Sequence, residues 1–105
     1  LSLDILSIAC TDNPASTSTT FVINHNFTGS MVDVIIDVFD MSGRLLWSHS
    51  ESGPSKRTTY TVDWDLTVDN GRRLETGVYL YRVRIGGSGG AKVSKAKKLV
   101  IVGNK

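Results

Sequence analysis

The chain has 105 residues, 40% hydrophobic and 21% charged, which leaves room for one globular domain and no more. One cysteine and two histidines exclude a disulfide framework and a four-ligand Cys/His zinc site, and no apolar run reaches the ~18 residues that a membrane-spanning helix needs. The net charge of +2 conceals an asymmetry: residues 1–70 carry three basic and nine acidic side chains, whereas residues 71–105 carry nine basic ones against Glu75 alone.

In chain order, the hydrophobic pattern is that of strands throughout, with no convincing 3.6-residue period. A first strand is predicted over 2–8 (SLDILSI), closed by the Asn13-Pro14 break. The runs 19–25 (TTFVINH) and 31–40 (MVDVIIDVFD) follow. In the second, Val34, Ile36 and Val38 share a buried face, and Asp33 and Asp37 fall on the opposite, solvent-facing side. Strands at 44–49 and 58–64 come next. In the strand over 78–85, Tyr79, Tyr81, Val83 and Ile85 alternate with Leu80, Arg82 and Arg84. A last strand, KKLVIV, sets Leu99 and Ile101 against Val100 and Val102. Thr28-Gly29-Ser30, Met41-Ser42-Gly43, Ser52-Gly53-Pro54 and Asp69-Asn70-Gly71 are turn chemistry, and Gly86–Gly90 is a hairpin tip. About seven short strands at this spacing predict an all-β, antiparallel immunoglobulin-like β-sandwich.

The search for chemistry yields little. Cys10 has no spacing to His25 or His49 that marks a catalytic dyad, and a lone cysteine of this kind is usually packing. Asp63, Asp65 and Asp69 bring carboxylates together, but not at EF-hand spacing, and read as turn residues. Trp47, Trp64, Tyr60, Tyr79 and Tyr81 suit a core better than a sugar-stacking platform, because Tyr79, Tyr81 and Trp64 share faces with buried aliphatics. The basic C-terminal third points to an anionic partner, or else to lysines that keep an edge strand unpaired. No catalytic, cofactor-binding or metal site is expected, and no nucleic-acid partner. Because the chain opens on Leu1 rather than Met, it is expected to be an excised domain or mature fragment.

Three segments together are more specific. Asp12-Asn13-Pro14 followed by Ser18-Thr19-Thr20-Phe21, then Val34 to Leu46 (VIIDVFDMSGRLL), then Val62-Asp63-Trp64-Asp65 with Asn70 to Arg82 (NGRRLETGVYLYR), resemble the C-terminal sorting domains of the type IX secretion system of Bacteroidetes. Those domains are related in shape to the immunoglobulin-like domain of the flagellar hook-capping protein. His25-Asn26, Gly29 to Val34 and Trp47 are most similar to the C-terminal domain of that system's surface sortase, a cysteine peptidase of the gingipain family.

The resemblance implies that residues 1–105 are a single sorting and anchoring domain without catalysis, any peptidase site lying outside this chain. It also implies a cell-surface, outer-membrane location and an outer-membrane β-barrel shuttle protein as partner, with anionic lipopolysaccharide as a further one. The residues expected to meet the partner are Arg82, Arg84, Lys95, Lys97, Lys98, Val100 and Val102, through strand addition at the last edge and charge pairing. The alternatives are a self-assembling immunoglobulin-like structural module and a carbohydrate-binding accessory domain. The sequence departs from the family pattern in two places. Leu66 stands where the family has glycine, so Leu66 and Val68 are expected in an exposed loop available for contact, and Glu75 stands where proline is frequent.

Overall fold

The computed structural model describes residues 4–27, 31–54, 58–68, 71–87 and 90–103. Eight strands form two antiparallel sheets. They are β1 (Ile5–Thr11), β2 (Thr19–His25), β3 (Met31–Phe39), β4 (Leu45–Pro54), β5 (Thr59–Trp64), β6 (Gly77–Gly87), β7 (Gly90–Val93) and β8 (Lys97–Ile101). The smaller sheet runs β1-β2-β5; the larger runs β4-β3-β6, with β6 paired on its far side to β7 and then β8. The sandwich is the predicted architecture, and its alternation explains the core. Phe21 and Ile23 of β2, Val34, Ile36 and Val38 of β3, Tyr81, Val83 and Ile85 of β6, and Leu99 and Ile101 of β8 all point between the sheets and are buried. Each such side chain contributes roughly 1.5–3 kcal/mol on leaving water.

The aromatics close this core. Phe21 lies 5.6 Å from Tyr81, 5.8 Å from Trp64 and 6.0 Å from Trp47, ring centre to ring centre. Trp47 of the larger sheet stacks on Trp64 of the smaller one at 4.5 Å, so the two indoles bridge the sheets beside β4 and β5. Trp64 and Tyr81 are buried, and Trp47 is partly so. They are packing residues, not an exposed sugar platform.

Several predicted boundaries shift. The first strand begins at Ile5 and continues to Thr11, because β2 supplies partners as far as Thr20. Ser52-Gly53-Pro54 is not a turn: these residues pair with Asp33, Val32 and Met31, and β4 runs ten residues. β7 is an additional strand, since β6 is long enough to pair twice on one side, with Lys92 opposite Ile85 and Leu99 opposite Tyr79. Between the two pairings, Ser94 spans the gap: its backbone N–H donates to Val83 O at 2.8 Å and its hydroxyl accepts from Val83 N–H at 2.9 Å. The Met41–Gly43 turn forms as expected, with Gly43 at φ +93° and the Asp40 carboxylate accepting from the Ser42 and Arg44 amides. Of the tip expected over Gly86–Gly90, Gly86 and Gly87 extend β6 and Gly90 begins β7, while residues 88–89, the turn expected at 28–30 and residues 69–70 of the turn expected at 69–71 lie outside the described residues.

The largest correction concerns Leu66. It is fully buried rather than exposed, and its φ is +66°. The backbone here needs the left-handed region that glycine enters freely and that costs an L-residue roughly 1–2 kcal/mol. A fully buried leucine offsets that cost with roughly 1.5–3 kcal/mol of burial. Val68, likewise expected outside, packs against the core. Leu74 returns the loop to the core: it is buried, and its amide donates to Leu66 O at 2.9 Å.

Candidate functional site

Of the residues expected to meet a partner, Arg82 and Arg84 lie on the outer face of the larger sheet, Lys97, Lys98 and Val100 on β8, and Lys95 and Val102 just before and after β8. Antiparallel pairing sets Asp37 of β3 opposite Arg82 of β6 and Ser48 of β4. Asp37 was expected to face solvent. It is on the outer face, yet only 1% of its side chain is exposed. Arg82 Nε reaches Asp37 Oδ2 at 3.1 Å, Arg84 Nε reaches the same oxygen at 2.9 Å, and the Ser48 hydroxyl donates to Oδ1 at 2.9 Å. Burial alone would push this carboxyl up. The hydrogen bonds from Arg84, Ser48 and Arg82, with the Arg84 charge, outweigh it and hold Asp37 below its usual range. Two arginines around one carboxylate leave one surplus positive charge. The arginines remain 39% and 42% exposed, and the Arg82 guanidinium lies 4.8 Å above the Phe39 ring.

Phe39 belongs to an apolar strip that sequence reasoning missed. It faces Leu45 on β4 and Leu80 on β6, while Val78 faces Val100 on β8. Leu45 is 51% and Val78 42% exposed. This strip crosses four strands at one end of the outer face. Arg82 lies beside it, and Lys98 is the cross-strand partner of Leu80. The signal was present in the alternation, since Leu80 falls on the same side as Arg82. It becomes visible when the register puts Leu45, Phe39 and Leu80 in one row.

The remaining predicted residues divide by what they already do. Lys95 and Lys98 are exposed. Lys97 is engaged: its ammonium donates to Ile8 O at 2.9 Å and ties β8 to β1 of the other sheet. The outer edge of β8, expected to accept a partner's strand, is occupied by residues 13–15 of this chain. Ala15 N–H donates to Val100 O and Val102 N–H donates to Ala15 O, both at 2.8 Å. The Asn13 side chain donates to Lys98 O and accepts from Val100 N–H, both at 2.9 Å. Arg73 fastens this strap to the C-terminal segment, donating to Val102 O at 3.0 Å and also to Ser16 O. Val100 and Val102 are half-buried, and the backbone between them is paired.

The other chemistry-bearing groups are positioned for packing. Burial pushes the Cys10 thiol up to about 11, against hydrogen bonds with Tyr81 and Thr19, so it is a poor nucleophile at neutral pH. His25 is buried at the end of β2, where its Nδ1 accepts from Phe27 N–H at 3.0 Å. Asp65 caps its own loop, accepting from the Thr67 amide and hydroxyl. Among the described residues no three His, Cys, Asp or Glu side chains converge as a metal site would require, and no helix is long and apolar enough to cross a membrane.

Comparison with known proteins fits this geometry. No family model and no curated protein matches the chain. Among solved structures, dimeric latent PorU from Porphyromonas gingivalis is similar over 92% of this chain, with 34% identity and a TM-score of 0.82. The matched part is 9% of the PorU chain. CopC from Methylosinus trichosporium OB3b aligns over 99% of this chain and 97% of its own, with 15% identity and a TM-score of 0.63. FlgD from Xanthomonas campestris, described for hook capping in flagellar assembly, aligns over 93% and 66%, with 22% identity and a TM-score of 0.56. The last two share the fold. The first supports a relationship: the chain is an immunoglobulin-like β-sandwich domain related to one within PorU, a type IX secretion protein. The resemblance fits a non-catalytic domain.

Proposed function

We propose that this chain is a C-terminal domain that directs its parent protein across the outer membrane by type IX secretion and docks it at the cell surface to an outer-membrane β-barrel protein. The similarity to PorU, at 34% identity over 92% of the chain, carries this reading. On this reading the parent resembles the surface sortase, and its peptidase site lies in a different part of that protein. The docking surface is the outer face of the larger sheet. Val78, Leu80 and Val100 supply apolar contact, and Arg82, Arg84, Lys95 and Lys98 supply charge toward acidic loops or anionic lipopolysaccharide. Lys97 and Val102 act mainly from within, the first through Ile8 and the second through the strap. Docking proceeds face-on, because the strap already fills the edge of β8.

The test fuses residues 1–105 behind an exported reporter in a bacterium with an active type IX system. The reporter is expected at the cell surface in that strain and in the periplasm when the system is inactivated. Equal surface display in both strains would overturn the assignment. Within the same assay, Val78→Glu with Lys98→Glu is expected to reduce capture by the barrel protein while leaving thermal stability nearly unchanged.

A further inference from the structure

The opposite edge of the larger sheet is open. β4 is the terminal strand of its sheet, and among the described residues its second edge carries no strand. Of the four other edges three are managed, and that of β5, the terminal strand of the smaller sheet, carries no strand among the described residues. β8 has its strap, β1 has the Lys97 ammonium on Ile8 O, and β7 is four residues long and carries Lys92. β4 runs ten residues without a lysine or an arginine. Its two interruptions are at its ends: a register shift that leaves Leu46 as an extra residue, and Pro54, which has no N–H. Between them Trp47–Gly53 is an uninterrupted template for another strand.

We propose that β4 pairs antiparallel with β4 of a second copy of this chain, about a two-fold axis at Ser50, joining two sheets into one. The sequence of the strand is self-complementary in this register. Ser50 faces its own copy, and Ser48 faces Ser52, so the outer row consists of small hydroxyl side chains that approach without a clash. On the other face His49 meets Glu51 of the copy, and Glu51 meets His49. This reproduces between chains the 2.7 Å contact that the two side chains make within one. Trp47 meets Gly53, around whose Cβ position there is nothing within 4 Å, so the indole has room. Leu46 then faces Pro54 of the copy, and the two features that would spoil pairing fall together at the ends. The contact is isologous and closes at two chains. It lies on the far side of the sheet from β8 and does not depend on the docking reading.

The test is register-specific. In Ser50→Cys the two thiols would face each other about 4.5–5.5 Å apart at Cβ, within reach of a disulfide after small adjustment. Under mild oxidation Ser50→Cys is expected to form a covalent dimer at least tenfold faster than Ser52→Cys, whose position lies opposite residue 48 rather than itself. The parent chain, with Cys10 half-buried, serves as the background. In sedimentation equilibrium the parent chain is expected to show a concentration-dependent dimer, and Ser50→Lys to weaken it at least tenfold with an unchanged circular dichroism spectrum. Equal oxidation rates at 50 and 52, a parent chain that stays monomeric across the concentration range, or association that survives Ser50→Lys would each overturn the proposal.

Discussion

The two long edges of the larger sheet are treated in opposite ways. On the β8 side, residues 13–15 lay a strap along the strand, Arg73 fastens the strap to the C-terminal segment, and Leu99 and Ile101 sink into the core. On the β4 side the strand pairs, among the described residues, with β3 alone, its outward side chains from Ser48 to Ser52 are serines, and Trp47 seals the sandwich from within. The basic residues follow the closed side, so charge and backbone protection occur together. A surface that offers side chains to a partner can afford to have its backbone spoken for, while an edge without lysine or arginine keeps its backbone available.

The largest effect that sharpens this contrast is Leu99→Ala. Removing a fully buried leucine from β8 is expected to cost about 2–5 kcal/mol in denaturant unfolding, whereas Leu45→Ala on β4, with its side chain half in water, should change stability by less than about 1 kcal/mol. Comparable losses at the two sites would mean that β4 is covered as β8 is.

Asp37 links the two sides, because it is held by Ser48 of β4 and by two arginines of β6. Asp37→Asn is expected to cost about 1–3 kcal/mol, less than for a fully enclosed pair because the arginines remain partly hydrated. The folded pKa of Asp37 lies below its unfolded value near 4, so its contribution is present above that pH and is lost as pH falls through the lower folded value. The variant should therefore lack the acid-induced loss below about pH 4. Burial also lowers the His25 pKa below its unfolded value near 6.5, so the unfolded chain takes up that proton first. Stability should fall as pH drops from about 6.5 toward the folded value, in parent and variant alike. A chemical-denaturation series against pH separates the two windows, and an unaltered slope below pH 4 in Asp37→Asn would contradict the account.

Leu66→Gly probes the loop that leads to Arg73. It relieves about 1–2 kcal/mol of left-handed strain and forfeits the burial of a leucine, for a net loss of about 1–3 kcal/mol in thermal unfolding. A stabilised variant would show that burial of Leu66 contributes less than its backbone costs. Asn13→Ala removes two hydrogen bonds to β8 at about 1 kcal/mol each. It should raise amide exchange at Val100 while leaving β4 unaffected.

Much of this was legible in the residues and some was not. Alternation in VIIDVF and VYLYRVRI disclosed the faces of β3 and β6, because period-2 patterns survive any register. Asp37 could not be read as buried, since what buries it is Arg82, Arg84 and Ser48 from two other strands. Leu66 looked exposed because a loop position is judged by its neighbours in sequence, and its burial follows from a positive φ that turns the side chain inward. The strap was invisible for a similar reason: Asn13-Pro14 reads as a break, and its use as cover for β8 rests on contacts some 85 residues away. The docking residues were chosen by charge. Apart from Val100 and Val102, chosen for the last strand edge, that criterion selected arginines and lysines and passed over Val78 and Leu80 beside them.

Residue-resolved hydrogen exchange on the Ser50→Lys chain, held as a monomer, tests the closed-edge and open-edge contrast most directly. The amides of Val100 and Val102, which donate to the strap, are expected to exchange slowly, while alternate amides between Trp47 and Gly53 exchange at rates close to those of loops. Rapid exchange at Val100 and Val102, or uniform protection along β4, would contradict it.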